Sequence, residues 1–217
     1  MKSKLLALVL ASLCTLANAT TVITWTDSGW YNSLGVHNPS NTNYIAGFCT
    51  TCQDPQSSRN FFVFDTSSIV GQVSSAILRL RAGYIPGHGT YTLYDVTTPV
   101  ANLRAGGSGL LDIYDDLGSG TSYGSVPLTS TQTDGLVDIV LNSAALAAIN
   151  AHTGFFAIGG SYDGVNSWAF GGTNTDERRQ LRYEIATVPE PASIALVGLG
   201  LLGIMATRKR KPATNSL

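Results

Sequence analysis

Between Thr20 and Thr187 apolar and polar residues alternate in short runs, broken by Gly, Ser, Thr and Asn. A period of two over four to eight residues is the pattern of a half-buried strand. It is clearest from Ser75 to Ala82, where Ala76, Leu78, Leu80 and Ala82 fall on one face and Ile77, Arg79 and Arg81 on the other. Further strands are expected at Thr21–Trp25, Tyr44–Phe48, Arg59–Phe64, Thr90–Asp95, Leu110–Tyr114, Leu136–Leu141, Phe155–Gly159, Ser167–Phe170 and Gln180–Ile185. One segment reads as helix: Asn142 caps it, Ala144–Asn150 favours it and Gly154 stops it. Many short strands and a single short helix predict an all-β protein, an antiparallel β-sandwich of jelly-roll type. No fixed-period repeat is present, which excludes propellers and solenoids.

The pattern changes at both ends. Met1–Lys4 is positively charged, Leu5–Ala17 is apolar, and Ala17-Asn18-Ala19 offers small residues at the cleavage-determining positions. Residues 1–19 are therefore expected to be a signal helix removed by signal peptidase, leaving a body that begins near Thr20. Thirteen apolar residues are too few for a comfortable permanent span. At the other end Ala192–Thr207 is apolar and, as a helix, covers ~24 Å. The basic cluster Arg208, Lys209, Arg210 and Lys211 follows at once and predicts a single transmembrane helix with residues 212–217 in the cytoplasm and the body outside. A helix buried in the core is the competing reading, and the four charges abutting the run oppose it.

The order of features in this tail is specific. Val188-Pro189-Glu190-Pro191, the apolar run and the basic cluster together resemble the PEP-CTERM sorting signal of exported bacterial proteins, over residues 188–211. The resemblance implies recognition in the inner membrane by an exosortase-type enzyme, which removes the tail and passes the body outward. Pro189 and Pro191 lack amide donors and restrict the residues before them, so the junction stays extended and suits a processing site. Within the body, "RNFFVFDTSSI" followed by "VSSAILRL" is similar to the start of the DNRLRE β-sandwich domains, related to carbohydrate-binding modules. "GFFAIGGSYDG" and "AFGGT" resemble bodies attached to other PEP-CTERM tails. These resemblances support the sandwich fold and imply an association with exopolysaccharide; they do not establish a ligand.

Charge narrows the partners. Between Ala19 and Val188 there is no lysine, and seven arginines against thirteen acidic residues leave the body at −6. Nucleic acid is excluded as a partner, because phosphate binding needs clustered Lys and Arg. Cys49 and Cys52 form the one cysteine pair left after signal removal, and in an exported chain a local disulfide is the leading reading. A redox site, or a zinc site using His37, stays open as an alternative. "GTSYG" at Gly120–Gly124 matches G-x-S-x-G around Ser122, but in a turn-and-strand setting rather than at a strand-to-helix elbow. Asp112, Asp115 and Asp116 crowd one turn without calcium-loop spacing, and His37, His88 and His152 fit no triad or metal spacing. No catalytic residue, metal site or cofactor is assigned.

Flat aromatic rings beside Asn and Asp suit the faces and hydroxyls of sugars. Trp25, Trp30 and Tyr31 in "TWTDSGWYN" are the candidate glycan contacts, with Tyr44 and Trp168 as further aromatics and core packing as the competing role for each. The expectation is a non-enzymatic exported protein, briefly tethered in the inner membrane and then placed at the cell surface or in extracellular matrix, associated with exopolysaccharide. The alternatives are a surface enzyme acting on polysaccharide and a purely structural matrix protein.

Overall fold

The computed structural model describes residues 20–48, 55–171 and 179–186. The chain divides after Ala186 into two units, and all the described residues belong to the first. Residues 1–19, Cys49 and Cys52, the Pro189-Glu190-Pro191 tripeptide, the expected membrane helix and the cluster Arg208 to Lys211 lie outside the described residues. Among the described residues no helix is long and apolar enough to cross a membrane.

The alternating segments form ten strands: β1 (Thr21–Asn32), β2 (Ala46–Phe48), β3 (Ser57–Asp65), β4 (Val73–Arg81), β5 (His88–Asp95), β6 (Ser122–Thr129), β7 (Leu136–Val140), β8 (Phe155–Tyr162), β9 (Trp168–Ala169) and β10 (Gln180–Ile185). One sheet runs β1-β10-β4-β7 and the other β1-β3-β8-β5-β6, with β2 beside β3 and β9 beside β2. All pairs are antiparallel. Successive long strands mostly cross from one sheet to the other, which gives the jelly roll expected from the sequence. β1 serves both sheets: Thr21–Thr24 pair with β10, Trp25–Asn32 pair with β3, and the register shifts between Trp25 and Asp27.

The facing surfaces supply the core. Leu78, Leu80, Ile139 and Leu181 from one sheet meet Phe62, Phe64, Leu93 and Ile158 from the other, all of them fully buried. Each such side chain contributes about 1.5–3 kcal/mol by leaving water. In β4 Val73, Ala76, Leu78 and Leu80 are buried, the last three as the alternation required, with Ile77, Arg79 and Arg81 on the outer face.

The single helix expected from the sequence is α3 (Ser143–Ala151), and the Asn142 side chain accepts from the amides of Ala144 and Ala145 as its cap. Two more short helices precede it in the chain, α1 (Val100–Ala105) and α2 (Leu111–Asp116). This corrects the expectation of one helix and of a strand at Leu110–Tyr114. The reason is packing: Leu110, Ile113, Tyr114 and Leu117 recur at helical spacing and close over the outer face of the second sheet, where Tyr31, Phe61, Val63 and Ala157 wait for cover. The run "RNFFVFD" is thus apolar on both faces because β3 separates two packed layers.

Polar groups fix the flap formed by α1 and α2. Burial pushes the Asp116 carboxyl up, but hydrogen bonds from the hydroxyls and amides of Thr97 and Thr98 outweigh it and hold the group below the usual carboxylate range. Arg59 donates to the carbonyls of Tyr114 and Asp115 and lies over the Tyr114 ring. The Tyr31 hydroxyl donates to Leu103 O at 2.9 Å, and burial raises that phenol to about 12. His37 packs between Tyr31 and Phe61, 2.9 Å through Nδ1 from the Trp30 carbonyl. Burial lowers its pKa from 6.5, against the opposing pulls of that carbonyl and of Asp27.

A buried polar chain crosses the core. Tyr91 donates to Asn60 Oδ1 at 2.6 Å, Asn60 Nδ2 donates to Tyr44 O at 2.6 Å, and the Tyr44 hydroxyl donates to Arg81 O at 2.9 Å. Burial raises the Tyr91 phenol, while the Asn60 hydrogen bond acts the other way. Gly160 makes room for this chain, since a Cβ there would sit 1.9 Å from the Tyr91 hydroxyl and 2.5 Å from Asn60 Oδ1.

Two outcomes follow from this packing. Gly160→Ala is expected to destabilise the protein by about 2–3 kcal/mol in denaturant melts, and by less on a Tyr91→Phe background that removes the obstructing oxygen. Full additivity of the two changes would refute the clash. For His37, the depressed folded pKa means the unfolded chain takes up its proton first. Stability should therefore hold above pH 6.5 and fall as pH drops from 6.5 through the folded value, by at most about 1.4 kcal/mol per pH unit. A His37→Asn variant that kept the same slope would show the linkage to be wrong.

Candidate functional site

At the end of the sandwich where β10 begins, the loop joining β4 to β5 faces the loop joining β8 to β9. Pro86, Gly87 and His88 form one wall and Asp163, Asn166 and Ser167 the other, around a cleft of about 390 Å³. The walls approach closely because Gly87 lacks a side chain; a Cβ there would meet Ser167 Oγ at 2.5 Å. Asn166 adopts φ 50, a left-handed conformation that Asn tolerates better than most residues.

The polar groups are held for use rather than consumed. Asp163 continues the β5–β8 ladder, its amide donating to Thr90 O at 3.1 Å and its Oδ1 accepting from Thr90 N at 2.5 Å. Ser167 Oγ and the Tyr162 hydroxyl are buried without a hydrogen-bond partner among the described residues. Leaving a buried polar atom unmet costs about 1–3 kcal/mol; Ser167 lines the cleft, and the Tyr162 hydroxyl lies behind it. Burial raises the Tyr162 phenol; the neighbouring Ser167 hydroxyl opposes that rise and Asp163 adds to it.

Aromatic residues adjoin both walls in sequence. Tyr84, 55% exposed, lies 6.0 Å from Trp168 between ring centroids. Trp168 is buried against Ile45, and Trp30 packs on that pair. The Tyr84 amide donates to Gly171 O at 3.0 Å and fixes the exposed ring beside its support.

The three aromatics expected to meet a glycan are not brought together. Trp30 backs Trp168, as above. Trp25 packs on the main core, with the Arg179 guanidinium 3.5 Å above its ring. Tyr31 is 0% exposed, with its hydroxyl spent on Leu103, so this candidate is corrected to a core residue. Tyr44 is likewise buried. Tyr84, Asn166 and Ser167 carried no motif in the sequence, and Asp163 fell in "GFFAIGGSYDG", a stretch that bears on the fold alone; the available signal was only the glycines of two loops.

Other sequence candidates resolve into structural roles. Ser122 opens β6, exposed and paired with Tyr94, and no strand-to-helix elbow surrounds it. Asp116 and Asp115 anchor α2, as described. His37 packs on Tyr31 and Phe61 beside the flap, His88 lies at the cleft, and His152 follows α3 with Nε2 2.5 Å from Phe155 O, so the three do not meet. Among the described residues no three His, Cys, Asp or Glu gather in a way that would hold a metal ion. A second cavity of about 350 Å³ beside α3, lined by Pro99, Val100, Tyr123 and Phe156, lacks the fixed carboxylate and unmet hydroxyls of the cleft.

Residues 187–211 match the PEP-CTERM protein-sorting motif. The match spans Pro189, Glu190 and Pro191 together with Arg208 to Lys211, and its start falls directly after the last described residue of the sandwich. Among curated proteins nothing matches the chain. Among solved structures, the chain is similar to a carbohydrate-binding module from the Cellvibrio mixtus lichenase 5A, in complex with cellotriose. The identity is 10%, the alignment covers 77% of this chain and 98% of that one, and the TM-score is 0.31. The chain carries the sorting signal of an exported protein that an exosortase processes at the membrane.

Proposed function

We propose that this exported chain is a non-catalytic polysaccharide-binding protein of the cell surface or extracellular matrix, and that the cleft between the β4–β5 and β8–β9 loops is its binding site. The observation that carries this reading is the pairing of a clamped carboxylate and two unmet buried hydroxyls with an exposed, supported ring, Tyr84. Sugars need both kinds of contact: apolar ring faces stack on an aromatic side chain, and hydroxyls exchange hydrogen bonds with fixed polar groups. The ligand belongs to the exopolysaccharide outside the cell.

Signal peptidase releases residues 1–19 in this scheme, the Ala192–Thr207 helix holds the chain in the inner membrane until the exosortase acts, and Cys49 and Cys52 close a local disulfide in the oxidising space outside.

Chain recovered from outside producing cells is expected to be retarded in gels containing their exopolysaccharide. Tyr84→Ala should weaken that retardation about five- to tenfold, the loss of ~1–1.4 kcal/mol expected for one stacked ring. Asn166→Gly, which suits the same backbone, should weaken it as well. Release of sugar from the polymer, abolished by a single acidic substitution, would instead establish an enzyme. No retardation and no release would leave a matrix protein without a ligand.

Processing has its own readout. Mass spectrometry of the external chain should show the segment through Arg208–Lys211 removed, and Glu190→Ala should leave it attached in the membrane fraction. Wild-type external chain that kept the basic cluster would overturn processing at this motif.

A further inference from the structure

Among the described residues the charge inventory around the cleft is one-sided. The body has no lysine, and none of the described arginines lines the cleft. Arg79 pairs with Asp138, Arg81 with Asp134, Arg104 with Asp27 and Arg59 with Asp115. Arg179 is buried over Trp25, donating to Ser28 and to Thr42 O, and Arg182 lies with Ile77 and Glu184 in a groove on the outer face of the other sheet. Among the described residues the cleft therefore holds one carboxylate, Asp163, one imidazole, His88, and no arginine or lysine.

Asp163 is also immobilised. Thr90 binds both its amide and its Oδ1, so the second carboxylate oxygen, Oδ2, is left as a fixed acceptor without a partner among the described residues. An acceptor held in place costs little ordering when a hydroxyl binds it, and hydrogen bonds to an ionised group are the stronger kind. The same oxygen repels a ligand's carboxylate, sulfate or phosphate, and a buried, unmet hydroxyl pair nearby offers no compensating charge.

We infer that the cleft selects uncharged sugars through their hydroxyls and rejects uronate-, sulfate- and phosphate-bearing chains, with Asp163 as the residue that sets this preference. The inference rests on the cleft being the polysaccharide site and adds the class of sugar it takes. A neutral ligand makes the binding insensitive to salt, since no ion pair forms. Asp163→Asn keeps Oδ1 for the Thr90 amide and removes the charge, so the ladder contact is retained while the ionised acceptor is lost.

The test uses external, processed chain and the exopolysaccharide of the producing cells, divided by anion exchange into neutral and acidic pools. Affinity electrophoresis is run at pH 8, above the range in which histidine titrates, with a chelator present so that no divalent ion bridges two carboxylates. The expected result is retardation by the neutral pool, unchanged between low and high salt, and none by the acidic pool. Asp163→Asn should weaken the neutral interaction about tenfold and acquire retardation by the acidic pool. Wild-type chain retarded by the acidic pool as strongly as by the neutral one would overturn the inference and leave the polysaccharide reading standing. Unaltered behaviour of Asp163→Asn would remove Asp163 from the role, and no retardation by either pool would overturn both readings.

Discussion

The bulge in β1 holds the two halves of this sandwich together. Over Thr21–Thr24 the strand belongs to one sheet, over Trp25–Asn32 to the other, and the change happens within the register shift between Trp25 and Asp27. A bulge inserts an unpaired residue and bends the strand, and the groups freed by the bend are used. The Trp25 amide donates to Arg179 O at 3.1 Å while the Arg179 guanidinium covers the Trp25 ring. The Thr26 hydroxyl donates to Val63 O at 3.1 Å and accepts from Arg104 at 2.8 Å, and Asp27 pairs with the same arginine at 3.2 Å. Because Arg104 belongs to α1, one short stretch of chain joins both sheets and the flap.

This arrangement decides which contacts matter for stability. Arg79–Asp138 and Arg81–Asp134 cross neighbouring elements on the outer face, with Asp134 68% exposed. Pairs of this kind contribute about 0–1 kcal/mol each. They order the surface and offset charge; they do not hold the sheets together. The apolar layer between the sheets and the second layer under α1 and α2 do, and the buried Tyr91–Asn60–Tyr44 chain fixes how the first layer packs. Removing one member of that chain leaves its neighbour unmet in the interior, which costs more than the hydrogen bond itself contributes.

Strands were legible wherever one face is buried and the other wet, as in β4 and β10, because burial then imposes a period of two. They were harder to read where both faces are covered. β3 is buried on both faces over Asn60–Phe64, and what covers its outer face follows a helical period over so few residues that Leu110–Tyr114 reads as a strand. β6 shows little alternation because Gly124 and Pro127 weaken its pattern, yet Pro127 fits, since β6 is an edge strand and needs no donor on its open side. The sorting motif was legible in full, being a linear signal that needs no fold to be recognised. The cleft was not: its groups come from residues 84–89 and 162–168, far apart in sequence, and only the antiparallel pairing of β5 with β8 sets them face to face.

The place where the sandwich ends gives the sorting signal its structural meaning. β10 is an interior strand, paired with β1 on one side and β4 on the other, and its ladder runs to Ile185 opposite Val73. The Ala186 amide makes one more bond, to Gln72 O at 2.7 Å, and the sorting match begins at the next residue. A cut within the matched region therefore takes no described strand and breaks no described ladder, whereas a cut a few residues earlier would open the centre of a sheet. The cleft lies at the other end of β10, beyond the start of that strand, and is built by loops that follow β4 and β8. The start of the sorting match and the cleft thus lie at opposite ends of the same strand.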